Sequence, residues 1–121
     1  MGKLTTHVLD TAQGCPASGV NIALYRIGTH SVGFERQLLK QDKTNADGRL
    51  DTPMLDDDTF QTGVYELVFQ AGDYFRSSQI KLDEPLFVDD VVIRFGISQA
   101  DQHYHVPLLV SPWSYSTYRG S

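Results

Sequence analysis

Apolar and polar residues alternate with a period of two along much of the chain. Val20, Ile22 and Leu24 alternate with Asn21, Ala23 and Tyr25, while Val64, Glu66, Val68 and Gln70 alternate with Tyr65, Leu67 and Phe69. Successive side chains of a strand point to opposite faces, so this period predicts strands, and their β-branched and aromatic residues suit a pleated surface. Strands are expected at 4–10, 20–28, 34–44, 49–52, 63–71, 88–98, 104–110 and 115–118. Turn formers separate nearly all of them: Gly14-Cys15-Pro16, the Gly28–Gly33 loop, Asn45-Ala46-Asp47-Gly48 and Ser111-Pro112. The Asp47-Gly48 pair is typical of a hairpin connection. One segment differs, because Asp73–Gln79 reads as the start of a short helix with Gly72 or Asp73 near its N-cap. About eight short strands and one short helix predict an all-β, two-sheet β-sandwich.

No linker, low-complexity tract or internal repeat interrupts residues 1–121, and this length suits one domain with one core. Ten Lys and Arg against 15 Asp and Glu leave a net charge of −5 with no basic cluster. Phosphate recognition needs such a cluster, which argues against nucleic acid as a partner. No apolar stretch approaches membrane-spanning length, so no membrane partner is expected. Cys15 is the only cysteine and forms no intrachain disulfide. A reducing compartment fits best, and with no apolar leader at the N-terminus the expected location is the cytoplasm.

The polar residues placed on strands are the candidates for chemistry. His7 lies in Leu4-Thr-Thr-His-Val-Leu-Asp10, on the face of Thr5 and opposite that of Thr6 and Val8. His103 and His105 share a side if their strand begins at His103. Two such histidines suit zinc only with a third ligand, and Cys15 has no adjacent histidine, so a hydrogen-bonded surface pair is the simpler reading and no metal is expected. His30 falls in the Gly28–Gly33 loop as an exposed turn residue. Arg49 follows the Asn45–Gly48 turn, where its guanidinium either clamps a carbonyl or anionic ring through paired donors or forms a rim salt bridge with a nearby aspartate. The run Asp56-Asp57-Asp58 lacks the spacing and bidentate glutamate of a calcium loop and reads as a solvated turn. No Gly-x-Ser-x-Gly elbow supports serine-hydrolase chemistry.

Three separated segments carry a family resemblance: Leu4–Asp10 with Gly14-x-Pro16-Ala17, Thr44-Asn-Ala-Asp-Gly-Arg49, and His105–Ser121 with its Tyr118-Arg-Gly-Ser121 ending. Together the chain resembles the 5-hydroxyisourate hydrolases, the transthyretin-related enzymes of urate breakdown. The Tyr-Arg-Gly-Ser ending is the most specific part, since hormone-carrying transthyretin shares the fold and a related Ser-Pro-x-x-Tyr-Ser-Thr segment without it. The resemblance implies a transthyretin-like sandwich that opens the N1–C6 bond of 5-hydroxyisourate without a cofactor, in a homotetramer with sites at subunit interfaces. It implies His7, Arg49 and His105 as catalytic residues and Tyr118 as a substrate contact, with Ser121 a weaker candidate and His103 outside the set. The alternative from another class is a non-catalytic transthyretin-like carrier of a small ligand, which would not need those residues together.

Overall fold

The computed structural model describes residues 2–29 and 34–121. The expected exposed position of His30 lies outside those residues. Among the described residues nine strands form two sheets. The first contains β1 (Lys3–Asp10), β2 (Cys15–Pro16), β5 (Leu55–Asp56), β8 (Tyr104–Val110) and β9 (Tyr115–Ser116), in the order β2-β1-β8-β9 with β5 also on β1. The second contains β3 (Asn21–Thr29), β4 (Phe34–Lys43), β6 (Gly63–Phe69) and β7 (Val91–Ile97), in the order β4-β3-β6-β7.

The period-two pattern produces the core. Leu4, Val8, Leu108 and Val110 of the first sheet meet Ile22, Leu24, Tyr65, Leu67, Phe69 and Val91 of the second, all buried. Thr6 and Asp10 are polar residues on the inner face of β1, and the Thr6 hydroxyl donates to the Val106 carbonyl at 2.7 Å. β1 and β8 run parallel in continuous register from Leu4–Tyr104 to Asp10–Val110. Inner residues therefore pair with inner residues, and Thr5, His7 and Leu9 share the outer face with His105 and Leu109.

Several boundaries differ from expectation for identifiable reasons. The helix α1 spans Ala71–Arg76 with Gln70 at its N-cap, ahead of the expected Gly72 or Asp73. Ala71 and Phe75, four apart, both face the core, which draws the helix start upstream. A side chain at Gly72 would run into Asp89. Residues 49–52 form no strand: Arg49 makes one isolated bridge to His7, and the chain rejoins β1 only at β5. Asn45 Nδ2 holds Asp51 Oδ1 at 2.9 Å, and Lys40 Nζ binds Thr52 Oγ1 and the Pro53 carbonyl, drawing the segment out of a ladder. The Gly14–Pro16 turn contains an unexpected two-residue strand, Cys15–Pro16, paired with Leu9 and Asp10. The acidic run is divided, with Asp56 ending β5 and Asp57 and Asp58 opening an exposed 3₁₀ turn, Asp57–Thr59.

Strand β9 covers Tyr115–Ser116 rather than 115–118, yet the register continues, since His105 and Gly120 pair again. That register sets Tyr118 opposite Pro107. Pro107 has no N–H to give, and its carbonyl accepts the Thr117 hydroxyl at 2.6 Å, so the ladder opens there.

Asp10 closes the inner end of β1 as a buried hub. Its Oδ1 accepts the Ala12 and Gln13 amides, and its Oδ2 accepts Gln13 Nε2 at 2.6 Å and the Tyr74 hydroxyl at 2.8 Å. Burial first, then the bond to Asp10, pushes the Tyr74 phenol up, so it remains the donor. Removing the carboxylate strands four donors. Asp10→Ala is expected to lower the unfolding free energy by about 3 kcal/mol in urea titrations, against about 1 kcal/mol for Tyr74→Phe, which deletes one donor.

Candidate functional site

The free edge of β1 is covered in sequence by β5 at Leu4, Arg49 at His7 and β2 at Leu9. The middle contact comes from the Asn45–Arg49 turn. The Asn45 side-chain oxygen accepts the Asp47 and Arg49 amides at 2.9 and 3.2 Å, and the Asn45 amide donates to the Arg49 carbonyl at 2.7 Å. Gly48 lies at φ +76°, where L side chains are strained, and a Cβ there would collide with the Val8 carbonyl. With glycine in place, the Val8 amide donates to the Gly48 carbonyl at 2.8 Å, and the turn sits directly on β1.

The same turn orients His7. Its Nε2 lies 2.8 Å from the Asp47 carbonyl oxygen. A carbonyl only accepts, so Nε2 carries the proton and the neutral ring keeps its lone pair on Nδ1. Arg49 is exposed on the outer side of the sheet, and among the described residues no carboxylate pairs with its guanidinium. The rim salt bridge weighed from the sequence is not formed. Asp51, the nearest candidate in sequence, is engaged by Asn45.

His105 joins from β8, directly across from Thr5. It is half-buried, and Thr5 Oγ1 lies 2.9 Å from its Nδ1. Burial first, then the charges of Arg49 and His7, pulls its imidazole below the ordinary value of 6.5. The register sets His105 opposite Thr5 and therefore on the outer face with His7, and Arg49 is bridged to His7. His103 stands apart, exposed before β8 begins, so the expected i, i+2 pair does not form within a strand. Among the described residues no group of three His, Cys, Asp or Glu side chains could hold a metal ion.

The tail completes this face. Tyr118 is 61% exposed, and by register it falls opposite Pro107, itself paired with His7. Gly120 exchanges backbone hydrogen bonds with His105 at 2.7 and 3.1 Å, and a Cβ there would press on His105 Cβ at 3.1 Å and Cδ2 at 3.3 Å. Ser121 is exposed and makes no side-chain hydrogen bond among the described residues. Arg119, which sequence reasoning left without a role, turns the other way. Its guanidinium lies 4.1 Å from the Tyr104 ring centroid and donates to Gln102 Oε1 and the His103 carbonyl, clamping the tail in register. Its alternation with Tyr118 was the available signal.

The single chain presents His7, Arg49 and His105 on an open sheet face. Three larger hollows, of about 760, 740 and 520 Å³, lie elsewhere and are lined by none of the three. A hollow of about 190 Å³ beside Thr5, Arg49 and Pro53 adjoins the group.

Two outcomes follow from the geometry. Gly48→Ala is expected to destabilise the fold by about 2 kcal/mol, read by urea unfolding, as turn and strand are forced apart. By NMR, the titration midpoint of His105 is expected below 6.5 and higher in Arg49→Gln than in the unsubstituted protein, because removing a like charge favours the imidazolium.

The profile of the HIUase/Transthyretin family matches residues 4–120. The 5-hydroxyisourate hydrolase of Pseudomonas aeruginosa is 58% identical over 121 residues, covering 100% of this chain and 93% of that protein. Among solved structures, (S)-allantoin synthase superposes with a TM-score of 0.91 at 48% identity, covering 99% of this chain and 44% of the larger one. The 5-hydroxyisourate hydrolase of Klebsiella pneumoniae superposes with a TM-score of 0.80 at 32% identity over the whole of both chains. With the expected two-sheet sandwich in place and the match running almost end to end, the chain belongs to the HIUase/Transthyretin family.

Proposed function

We propose that this protein hydrolyses 5-hydroxyisourate in urate degradation, with His7, Arg49 and His105 as its catalytic residues and Tyr118 as a substrate contact. The observation that carries the reading is the convergence of these residues on the outer face of the β1–β8 pair, alongside the names of relatives up to 59% identical. Water attacks the C6 carbonyl and the N1–C6 bond opens, giving 2-oxo-4-hydroxy-4-carboxy-5-ureidoimidazoline.

Each residue type suits one demand of that reaction. His7 offers a lone pair on Nδ1, because Nε2 is committed to the Asp47 carbonyl. It takes the proton from water as the oxygen adds to C6, and returns it to N1 as the bond breaks. The developing oxyanion needs fixed donors. Arg49, without a competing carboxylate, provides paired N–H groups, and His105, held neutral, provides an uncharged one. Tyr118, free of the strand ladder, walls the substrate or hydrogen-bonds it.

An open sheet face does not exclude water. A homotetramer in which facing sheets enclose the sites supplies the missing wall, and exposed Phe87, Trp113, Tyr115 and Tyr118 are apolar surface suited to burial between subunits. The single exposed thiol, Cys15, suits a reducing compartment, and on that ground we assign the protein to the cytoplasm. No helix among the described residues is long and apolar enough to cross a membrane.

The test is the ultraviolet decay of 5-hydroxyisourate made in situ by urate oxidase. The protein is expected to accelerate it, and a rate equal to spontaneous decay refutes the reading. His7→Ala is expected to lower kcat/KM by about 10² to 10⁴, and His105→Ala by about 10². In light scattering with parallel assays, activity is expected to vanish as the tetramer dissociates. A fully active monomer contradicts the shared-site arrangement.

A further inference from the structure

We infer that Thr5 is a positioning residue for this reaction: its hydroxyl donates to His105 Nδ1 and so fixes that imidazole in the tautomer carrying its proton on Nε2, the nitrogen left to face substrate. The inference rests on the proposed function for its consequence, though not for its geometry.

Hydrogen-bond accounting carries it. Thr5 Oγ1 and His105 Nδ1 are 2.9 Å apart. A hydroxyl gives one proton and a neutral imidazole carries one, so two directions exist for this contact. Were Nδ1 the donor, the Thr5 proton would need a second acceptor. Among the described residues Thr5 Oγ1 has no partner besides His105, whereas the neighbouring Thr6 hydroxyl has a carbonyl of its own at 2.7 Å. With Thr5 as donor, both groups are satisfied by one bond. His105 Nδ1 is then occupied as an acceptor, and Nε2–H becomes the only proton the neutral ring can offer.

The placement is built into the sheet. Thr5 and His105 are registered partners across the parallel β1–β8 pair, so the register itself brings the hydroxyl to the ring. On the other side, Gly120 leaves room for the same ring and holds its backbone. His105 is thus pinned by a hydroxyl on one flank and by a glycine backbone on the other. The two histidines acquire complementary free nitrogens. His7, fixed by a carbonyl, exposes a lone pair, and His105, fixed by a hydroxyl, exposes a proton. A site that needs one acceptor and one uncharged donor is specified by these two second partners, a backbone oxygen and Thr5.

Thr5→Val keeps the shape and β-branching of the side chain and removes the hydroxyl, while Thr5→Ser keeps the hydroxyl. The ¹⁵N resonances of His105, recorded above its titration, report which nitrogen carries the proton. The unsubstituted protein is expected to show the Nε2–H tautomer, Thr5→Ser the same, and Thr5→Val a mixture of both. In the 5-hydroxyisourate assay, Thr5→Val is expected to lower kcat about fivefold to tenfold with KM changed less than about twofold, and Thr5→Ser to recover most of the loss. An unchanged tautomer in Thr5→Val, an unchanged kcat, or an equal loss in Thr5→Ser overturns the inference. The tautomer is read without turnover, so an inactive unsubstituted protein would refute the proposed function while the role of Thr5 was still decided by the resonances.

Discussion

The parallel pairing of β1 with β8 is the constraint from which the rest follows. Seven registered pairs join the two ends of the chain, Leu4–Asp10 against Tyr104–Val110. A parallel pair cannot be closed by a short turn, so everything between them is in effect the crossover that makes the pairing possible. Because side chains alternate along each strand, one register sets two surfaces at once. Leu4, Val8, Leu108 and Val110 close the core, and Thr5, His7 and His105 are delivered to the outer face. A one-residue slip of β1 would drive Thr5 and His7 into the core, away from His105, and bring Leu4 and Val8 to the surface. Core burial therefore enforces the geometry of the candidate site.

Two further elements depend on that pair and are fitted to it by backbone contact. The Asn45–Arg49 turn needs a glycine at φ +76° to reach Val8, and in reaching it brings the Asp47 carbonyl to His7 and the Arg49 guanidinium to the same face. The tail returns along the opposite flank of β8, closes on His105 through Gly120, and is locked from behind by Arg119 over Tyr104. The first contact tunes one histidine as an acceptor. Partial burial, and then the charges of Arg49 and His7, disfavours charge on the other, His105. Electrostatic preorganisation here comes from where backbone segments dock, with few side chains devoted to it.

The major strands and the two-sheet sandwich were legible because they rest on period-two burial, which is local. His7, Arg49, His105 and Tyr118 stood out as candidates through the motifs that contain them, and the face of His7 was legible through alternation alone. What was hidden depends on distant partners. Residues 49–52 carry strand-like composition, but Lys40 and Asn45 draw the segment out of a ladder. Residues 117 and 118 leave the ladder because Pro107, ten or so positions upstream, has no N–H to share. The role of Thr5 required the β1–β8 register, which no local pattern contains. His103 looked like the natural partner of His105 from spacing, and the strand simply begins one residue too late.

A single strand pair holds His7 and His105 together, and if they work as one unit a double-mutant cycle reveals it. kcat/KM for 5-hydroxyisourate would be measured in His7→Ala, His105→Ala and the double variant at one pH. If the two act on the same transition state, the double variant is expected to be about as slow as the slower single variant. Losses that multiply independently, so that the double variant falls by the product of the two, would contradict the account.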